Sequence, residues 1–345
     1  PVGVVAAISP FNYPLFIGAT KIIPSLLAGN GVVIKPSSET PLSQIIFARI
    51  LEEAGIPKGS LNVITGSSNE IGETLVSDFR VSLISLTGST ETGKKIVQKA
   101  GIKKLHLELG GKGVAIVLDD ADINLAAKKC VEGALKNAGQ RCDAISNILV
   151  MDSIADVFVQ RVLEEVEGWK LGDPREEGVK IGPLINRDAV RKVHDLVQDA
   201  LSKGAKLLKG GKYKDCYFEP TVLDQVPLNS RIVWEEVFGP VITIIRVKNE
   251  DEALSIANKA RYGLDSCIFS RDFYRIWKVA KRLKVGSVTV NDYPRHGVGY
   301  FPFGGAKESG IGREGIGYSI DETTDLKTIV FNLEPAGLGK LKHIH

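Results

Sequence analysis

Short runs of apolar, largely β-branched residues recur through the first 110 positions and alternate with segments of helical pattern. The runs occupy 2–8, 32–35, 61–65, 81–87 and 105–109. Continuous apolar runs of this length are typical of strands that are covered on both faces. Alternating strands and helices predict an α/β fold with a doubly wound parallel sheet, whose ligands bind at the carboxyl ends of the strands.

The alternation continues beyond residue 110 with longer amphipathic helices. A chain of 345 residues can hold about two domains and bury enough surface to need no metal or disulfide for stability. We predict a first domain over 1–109, a second α/β domain over 110–310 and a C-terminal segment over 311–345.

Charge and cysteine content exclude several classes of protein. The 44 Lys and Arg residues against 41 Asp and Glu give a net charge of only +3, so we expect no nucleic-acid partner. The cysteines form no C-x-x-C pair and the histidines have no metal-ligand spacing, which predicts no metal site and a reduced, cytoplasmic chain. No apolar run is long enough to cross a bilayer, so we expect no membrane partner.

A glycine-rich segment follows the fourth predicted strand. Residues 88–94, GSTETGK, match most of the phosphate loop G-x-x-x-x-G-K, but Lys95 stands where a hydroxyl should hold Mg²⁺. Asp119 and Asp120, after another apolar run, keep a nucleotide triphosphatase open as an alternative. A helix N-terminus that binds the pyrophosphate of a dinucleotide fits this segment better. The simplest hypothesis is a strand-to-helix turn that binds no ligand.

Cys142 differs from the other cysteines in its surroundings. It follows Arg141 in a glycine-containing turn, where positive charge would favour the thiolate. Cys130 lies inside an apolar helical run, which is typical of a structural cysteine. Cys142 is therefore the candidate nucleophile.

Glu108 ends an apolar strand and precedes two glycines. A carboxylate is costly to bury there unless it is paired or works as an acid or base, although a half-exposed glutamate at a strand end is an alternative. His106 lies two residues earlier on the same face of the strand, and we interpret it as a core histidine with satisfied hydrogen bonds.

Seven motifs stand in the order found in the aldehyde dehydrogenase superfamily, which this chain resembles from Pro1 to about Asn332. They are FNYP at 11–14, KPS at 35–37, TGSTETG at 87–93, ELGGK at 108–112, GQRC at 139–142, EEVFGP at 235–240 and PFGG at 302–305. The resemblance implies a cofactor-binding first domain, a catalytic second domain and a C-terminal oligomerisation strand at 326–331. It also implies a homo-oligomer, a dimer or a tetramer.

The resemblance assigns the chemistry to three residues. Cys142 matches the nucleophile that adds to the aldehyde carbon, and Asn12 matches the side chain that holds the resulting oxyanion together with the backbone N–H of Cys142. Glu108 resembles the base that activates water against the thioester. Lys21 matches a family lysine near the active site. A non-catalytic binding protein of the same fold is the alternative from another class.

The same resemblance implies an NAD(P) site. NADP is expected over NAD because family members selective for NAD often carry Glu where Ser38 stands here, although the adjacent Glu39 leaves dual specificity open. Lys35 matches the contact to the adenosine ribose, Ser89 the pyrophosphate contact and Glu236 the anchor of the nicotinamide ribose. The expected cofactor-binding residues are Lys35, Ser38, Gly88, Ser89, Leu109, Glu236 and Phe238.

For the substrate, the chain is most similar to the non-phosphorylating glyceraldehyde-3-phosphate dehydrogenases. Tyr13, Arg141 and Arg295 resemble their substrate-binding residues, and arginine suits a phosphate because its planar fork can bind two oxygens. If the alignment with these enzymes is shifted by one residue, His296 stands at the position of their second arginine in place of Arg295. GQRC also occurs in semialdehyde dehydrogenases, so another small aldehyde is the alternative. The family's usual N-terminal segment has no counterpart here, which suggests the C-terminal portion of a longer enzyme.

Overall fold

A computed structural model describes residues 1–296 and 299–332 of the chain. Five parallel strands form the core of a first sheet, and four helices connect or flank them. The strands are β1 Val4–Ile8, β2 Gly31–Lys35, β3 Leu61–Val63, β4 Val81–Thr87 and β5 Lys104–Glu108. The helices are α1 Pro14–Leu27, α2 Leu42–Glu53, α3 Glu73–Ser77 and α4 Thr90–Lys99, with a π-helical turn Ser68–Gly72 before α3. The five predicted strands are confirmed.

The strand order of this sheet reverses between β1 and β4. The five strands lie in the order β5, β4, β1, β2, β3, and all are parallel. The connections leave β1 in one direction and enter β4 in the other, so the loops after these two strands diverge. The reversal opens a crevice at their carboxyl ends.

The rest of the chain builds a second, larger sheet, whose strands are β6 Gly113–Val117, β7 Ile145–Met151, β10 Lys206–Lys209, β13 Thr221–Asp224, β14 Val241–Val247, β16 Asp265–Phe269 and β17 Ser287–Val290. Their order is β10, β13, β14, β7, β6, β16, β17, and only β10 runs antiparallel to its neighbour. Short strand pairs complete the fold: β8 Lys170–Leu171 with β9 Val179–Ile181, β11 Tyr213–Lys214 with β12 Tyr217–Phe218, and β15 Tyr262–Gly263 with β18 Ala306–Lys307.

Helices cover the second sheet and bury a continuous apolar core against it. They are α5 Ile123–Leu135, α6 Ala155–Glu167, α7 Arg187–Ser202, α8 Arg231–Trp234, α9 Glu250–Lys259 and α10 Phe273–Ala280, with 3₁₀ turns at Lys136–Gly139 and Asp152–Ile154. In β6 and β7 every residue is buried, which explains the unbroken apolar sequence of β6 and the mainly apolar sequence of β7. The division into domains at 109 and 310 stays a prediction.

The chain returns to the first sheet near its C-terminal end. Strand β19, Gly310–Ile311, pairs antiparallel with β5, and α11, Tyr318–Glu322, follows. Residues 324–332 have no regular secondary structure in the single chain, so the oligomerisation strand at 326–331 stays a prediction. The apolar side chains there are exposed and no neighbouring strand offers them hydrogen bonds in the described chain. Among the described residues, no helix has the length and apolarity to span a membrane.

Candidate active site

A cavity of about 510 Å³ opens at the carboxyl ends of β1 and β4, where the strand order reverses. Two buried hydroxyls in its wall, Ser9 Oγ and Thr87 Oγ1, have no hydrogen-bond partner in the protein. Buried polar atoms without a partner are costly, so this wall fits a polar ligand such as a dinucleotide. The predicted residues that border the cavity are Asn12, Lys35, Ser38, Gly88, Ser89, Leu109, Cys142, Glu236 and Phe238.

Cys142 lies in the turn that enters β7. Three residues before this turn adopt positive φ: Asn137 at 55°, Ala138 at 54° and Gly139 at 69°. A Cβ at Gly139 would lie 2.1 Å from the carbonyl oxygen of Gly239, so only glycine fits there. The strained turn directs a half-buried cysteine to the cavity.

Arg141 does not supply the free positive charge that the sequence suggested. Its Nη2 lies 2.9 Å from Asp143 Oδ2 and also donates to the Pro294 carbonyl oxygen at 2.9 Å. Burial raises the pKa of the Cys142 thiol well above its usual value, and the nearby Asp143, Asp265, Glu236 and Glu108 raise it further. The expectation of a thiolate favoured by Arg141 is wrong, because Asp143 neutralises the guanidinium.

The side chain of Asn12 borders the same cavity as Cys142, as the resemblance requires. Its Nδ2 donates to the carbonyl oxygen of Gln140 at 3.0 Å, two residues before the nucleophile. The structure therefore places an amide donor beside the turn that carries the thiol. Its assignment to the oxyanion stays a prediction.

Glu108 is buried and is not among the residues that line the cavity. Both of its carboxyl oxygens lack a hydrogen-bond partner, and burial raises its pKa well above the usual range, with Glu314 adding to the rise. The neighbouring Lys21 forms a 2.7 Å ion pair with Glu314 Oε1. A buried carboxyl with a raised pKa has the property of a general acid or base, although the structure does not bring Glu108 into the cavity lining.

The residues expected to bind the adenosine end of the cofactor border the cavity. Lys35 ends β2, is buried, and donates to the Pro36 carbonyl oxygen at 3.3 Å. Burial lowers its pKa. Ser38 is exposed at the rim, and the Glu39 carboxylate is engaged across the crevice by Asn186 Nδ2 at 3.4 Å. The Lys35 ammonium group and the Ser38 hydroxyl therefore both border the cavity near the end of β2. The Glu39 carboxylate there accepts a hydrogen bond from Asn186.

The loop after β4 is too short to wrap around a phosphate. Only Gly88 and Ser89 separate β4 from α4, and Ser89 Oγ caps the helix by accepting from Thr92 N–H at 3.2 Å. Lys94 lies on the helix and pairs with Glu308 at 2.9 Å. The run 113–117 that would supply Asp119 and Asp120 belongs to the other sheet. The triphosphatase alternative is wrong, because a helix has replaced the loop that this chemistry needs.

Glu236, Phe238 and Leu109 form the inner end of the crevice. Glu236 Oε1 accepts from Gly111 N–H at 2.9 Å, and burial raises its pKa although this hydrogen bond opposes the rise. Phe238 has a φ of 56° and packs edge to face on Phe11 with ring centroids 5.8 Å apart. An apolar wall and a buried carboxylate therefore lie on the same side of the cavity as Cys142.

The predicted substrate residues converge on one ring. The guanidinium carbon of Arg141 lies 5.5 Å and that of Arg295 5.9 Å from the centroid of Tyr293. Arg295 is largely exposed and pairs with Asp292 at 3.1 Å. Burial raises the pKa of Tyr13, while Arg141 opposes that rise, so the Tyr13 phenol is neutral. Both arginines already have a carboxylate partner.

A family model described as Aldehyde dehydrogenase family matches residues 1–329. The chain belongs to this family.

Relatives and solved structures add detail to this assignment. An NADP-dependent glyceraldehyde-3-phosphate dehydrogenase of Streptococcus equinus is 44% identical over 333 residues, which are 96% of this chain and 70% of that protein. A mitochondrial succinate-semialdehyde dehydrogenase of Arabidopsis thaliana is 43% identical over 334 residues, 95% of this chain and 63% of that protein. The crystal structure of an NADP-dependent glyceraldehyde-3-phosphate dehydrogenase from Bacillus halodurans C-125, complexed with NADP, has a TM-score of 0.95 at 44% identity and covers 97% of this chain and 70% of that one.

The fold prediction is confirmed by this structural match, and the chain is an NAD(P)-dependent oxidoreductase of the aldehyde dehydrogenase class. The described residues hold no group of three or more His, Cys, Asp or Glu side chains that could bind a metal ion. The roles of the individual site residues stay predictions.

Sequence analysis missed three carboxyl groups that shape the site. Asp143 could have been found, since it follows Arg141 by two residues. Asp265 and Glu314 gave no signal, because they come from distant segments that meet only in the folded chain. Burial, reinforced by Asp143, raises the pKa of Asp265 to about 7. Burial acts to raise the pKa of Glu314, but the Lys21 ion pair and His296 outweigh it and hold it low.

We expect Asp143→Asn to make Cys142 more reactive. Loss of this carboxylate frees Arg141 and lowers the thiol pKa, so alkylation by iodoacetamide at pH 8 should rise by roughly three- to tenfold. Peptide mass spectrometry reads the rate at Cys142, with the buried Cys130 and Cys267 as internal references. Asp292→Asn is the matched control. An unchanged rate in Asp143→Asn would show that burial alone sets the thiol pKa.

Proposed function

We propose that the protein oxidises glyceraldehyde 3-phosphate to 3-phosphoglycerate with NADP, without uptake of inorganic phosphate. The observation that carries the aldehyde chemistry is the placement of the Cys142 thiol on a strained turn at the end of a dinucleotide-sized cavity. The similarity to two NADP-dependent glyceraldehyde-3-phosphate dehydrogenases supports the choice of substrate.

Acylation begins at Cys142. The thiol gives its proton to solvent water, and its sulfur adds to the aldehyde carbon to give a thiohemiacetal whose oxyanion accepts hydrogen bonds from Asn12 Nδ2 and the Cys142 N–H. For this the Asn12 amide exchanges the Gln140 carbonyl oxygen for the oxyanion. A preorganised donor of this kind contributes about 3 kcal/mol to such a step. When bound, NADP supplies the acceptor for the hydride that leaves the thiohemiacetal carbon.

Deacylation needs a base. Glu108 takes a proton from water, the water oxygen bonds to the thioester carbon, and the carbon–sulfur bond breaks to return Cys142 as thiolate. Because burial raises its pKa, the deprotonated Glu108 carboxylate is a stronger base than an exposed one. To reach the thioester, its side chain must turn from the inward position it occupies in the structure.

The cofactor would lie along the crevice, with Lys35 and Ser38 at the adenosine end and Glu236 and Phe238 at the nicotinamide end. The 2′-phosphate of NADP would find a cation and a hydroxyl there. Glu39 also borders the cavity, where its carboxylate accepts a hydrogen bond from Asn186 Nδ2 at 3.4 Å, and this contact would direct it away from the phosphate. Solved relatives with bound NADP support the preference.

The substrate phosphate would compete with carboxylates that are already present. It must share Arg141 with Asp143 and Arg295 with Asp292. This pairing favours a second candidate, a small semialdehyde, which the similarity to a succinate-semialdehyde dehydrogenase also supports. We further infer a cytoplasmic homo-oligomer, for which the four free cysteines and the exposed apolar residues at 326–331 are the support.

Two substitutions should separate the half-reactions. Cys142→Ala should abolish aldehyde oxidation. Glu108→Gln should still give a stoichiometric burst of NADPH but turn over at least a hundredfold more slowly, since a general base contributes roughly 10²–10⁴-fold. Stopped-flow absorbance at 340 nm measures both phases. A missing burst in Glu108→Gln would move this residue to an earlier step.

The cofactor preference should depend on Ser38. We expect kcat/KM for NADP to exceed that for NAD, and Ser38→Glu to reverse this order by repelling the 2′-phosphate. Ser37→Ala, at the neighbouring cavity-lining position, is the control. A wild-type preference for NAD by about tenfold, equivalent to roughly 1.4 kcal/mol, contradicts the assignment.

The substrate assignment is tested by comparing glyceraldehyde 3-phosphate with unphosphorylated glyceraldehyde. We expect a higher kcat/KM for the phosphorylated aldehyde. Arg295→Ala should raise KM for it several-fold and leave KM for glyceraldehyde unchanged, since only the phosphate needs the cation. Arg271→Ala, a surface arginine that pairs with Asp122, is the control. Equal use of the two aldehydes would make a semialdehyde the leading candidate.

A further inference from the structure

His106 is buried beside the proposed base. It lies on β5, two residues before Glu108 and on the same face of the strand. Its Nδ1 lies 3.0 Å from Ser85 Oγ, which stands opposite it in the register of β4 and β5. Its Nε2 lacks a hydrogen-bond partner and lies 3.6 Å from Glu108 Oε1. The expected satisfied core histidine is therefore satisfied at only one of its two nitrogens.

The protonation states of the two groups are complementary. Burial lowers the pKa of His106 to about 4, with Lys21 adding to the effect, so the imidazole is neutral at pH 7. Burial raises the pKa of Glu108, which favours its protonated form. If Nδ1–H donates to Ser85 Oγ, the Nε2 lone pair faces the carboxyl group. The 3.6 Å between Nε2 and Oε1 is longer than a hydrogen bond, but a protonated carboxyl that approaches by roughly 0.6 Å can donate to that lone pair and satisfy both atoms.

Other charged groups around the pair largely balance one another. Lys21, from α1, is neutralised by Glu314 at 2.7 Å. The remaining titratable or charged residues near His106 or Glu108, or near their partners, are Asp265 from β16, His296 from the segment after β17, Arg313 and Glu322 from the C-terminal segment, and the Cys142 thiol. His106 Nε2 lies 3.6 Å from Glu108 Oε1 and offers it a neutral acceptor.

We propose that His106 is a positioning residue for Glu108, whose protonated carboxyl donates a hydrogen bond to His106 Nε2 and is thereby held in the inward position. The inference rests on the proposed role of Glu108 as base. The proton comes from the water that hydrolyses the thioester: Glu108 receives it, the water oxygen bonds to the acyl carbon, and Cys142 leaves as thiolate. His106 then holds the protonated carboxyl away from the nucleophile until the proton is lost.

Two substitutions separate the contact of His106 Nδ1 with Ser85 from the contact of His106 Nε2 with Glu108. His106→Asn keeps a polar atom near the Nδ1 position, where it can bond to Ser85, but cannot reach Glu108. His106→Gln places an amide near the Nε2 position and can accept from Glu108. The measurement is the hydrolysis rate of the acyl-enzyme as a function of pH in the purified full-length protein with NADP, after a burst formed with glyceraldehyde 3-phosphate or succinic semialdehyde.

In His106→Asn we expect an unchanged burst, and an acid limb of hydrolysis displaced to lower pH by roughly 0.5–1 unit, because the protonated carboxyl has lost its hydrogen bond. The plateau rate should fall several-fold because the base is weaker. His106→Gln should keep the wild-type profile. His194→Gln, which changes an imidazole far along the chain on α7, is the control and should leave the profile unchanged.

The proposal fails if His106→Asn keeps the wild-type profile or if the Asn and Gln variants shift alike. In a Glu108→Gln background, His106→Asn should have no further effect on the residual hydrolysis rate, and an additive loss would also overturn it. If His106→Asn does not fold, Ser85→Ala is the alternative variant, because it removes the hydrogen bond between Ser85 and His106 Nδ1 that fixes the imidazole tautomer. Ser85→Ala should also displace the acid limb to lower pH, but by less than His106→Asn. Absence of a burst in the wild type would instead contradict the proposed function itself.

Discussion

The reversal of strand order between β1 and β4 is the constraint on which the site depends. Neighbouring parallel strands whose connections leave in opposite directions cannot close the gap between their loops, so a crevice must form at their carboxyl ends. One wall of this crevice carries Asn12 and the other carries Ser89. The second sheet contributes the loop with Glu236 and the turn with Cys142, which close its inner end.

Much of this architecture could be predicted from the sequence, because fully buried parallel strands leave a continuous apolar run. Strand β4 was predicted with its exact limits, since both of its faces are covered and turn residues follow it directly. The oligomerisation strand at 326–331 stays a prediction for the complementary reason. Its apolar pattern is that of a strand, but a strand also needs a neighbour to bond with, and none is present within the described chain.

Electrostatic pairing within the site could not be predicted as well as the positions of its residues. The Arg141–Asp143 pair reverses the expected effect of the arginine on the nucleophile, and it depends on side-chain direction in an irregular turn. Lys21 and Glu314 come from opposite ends of the chain, so no local pattern links them. Motifs predict which residues meet at a site. The charge that each one experiences depends on burial and on partners that only the folded chain supplies.

The pairing of β19 with β5 has a consequence for how the protein is made. Glu108 ends β5, and its register partner Gly310 is synthesised only after the whole second sheet. A ribosome-bound chain can therefore assemble the five parallel strands early, but the edge that carries Glu108 remains open until Gly310 and Ile311 have been synthesised. Closing so long a loop is slow. Until then the unpaired backbone groups of this edge are exposed to strands of other nascent chains.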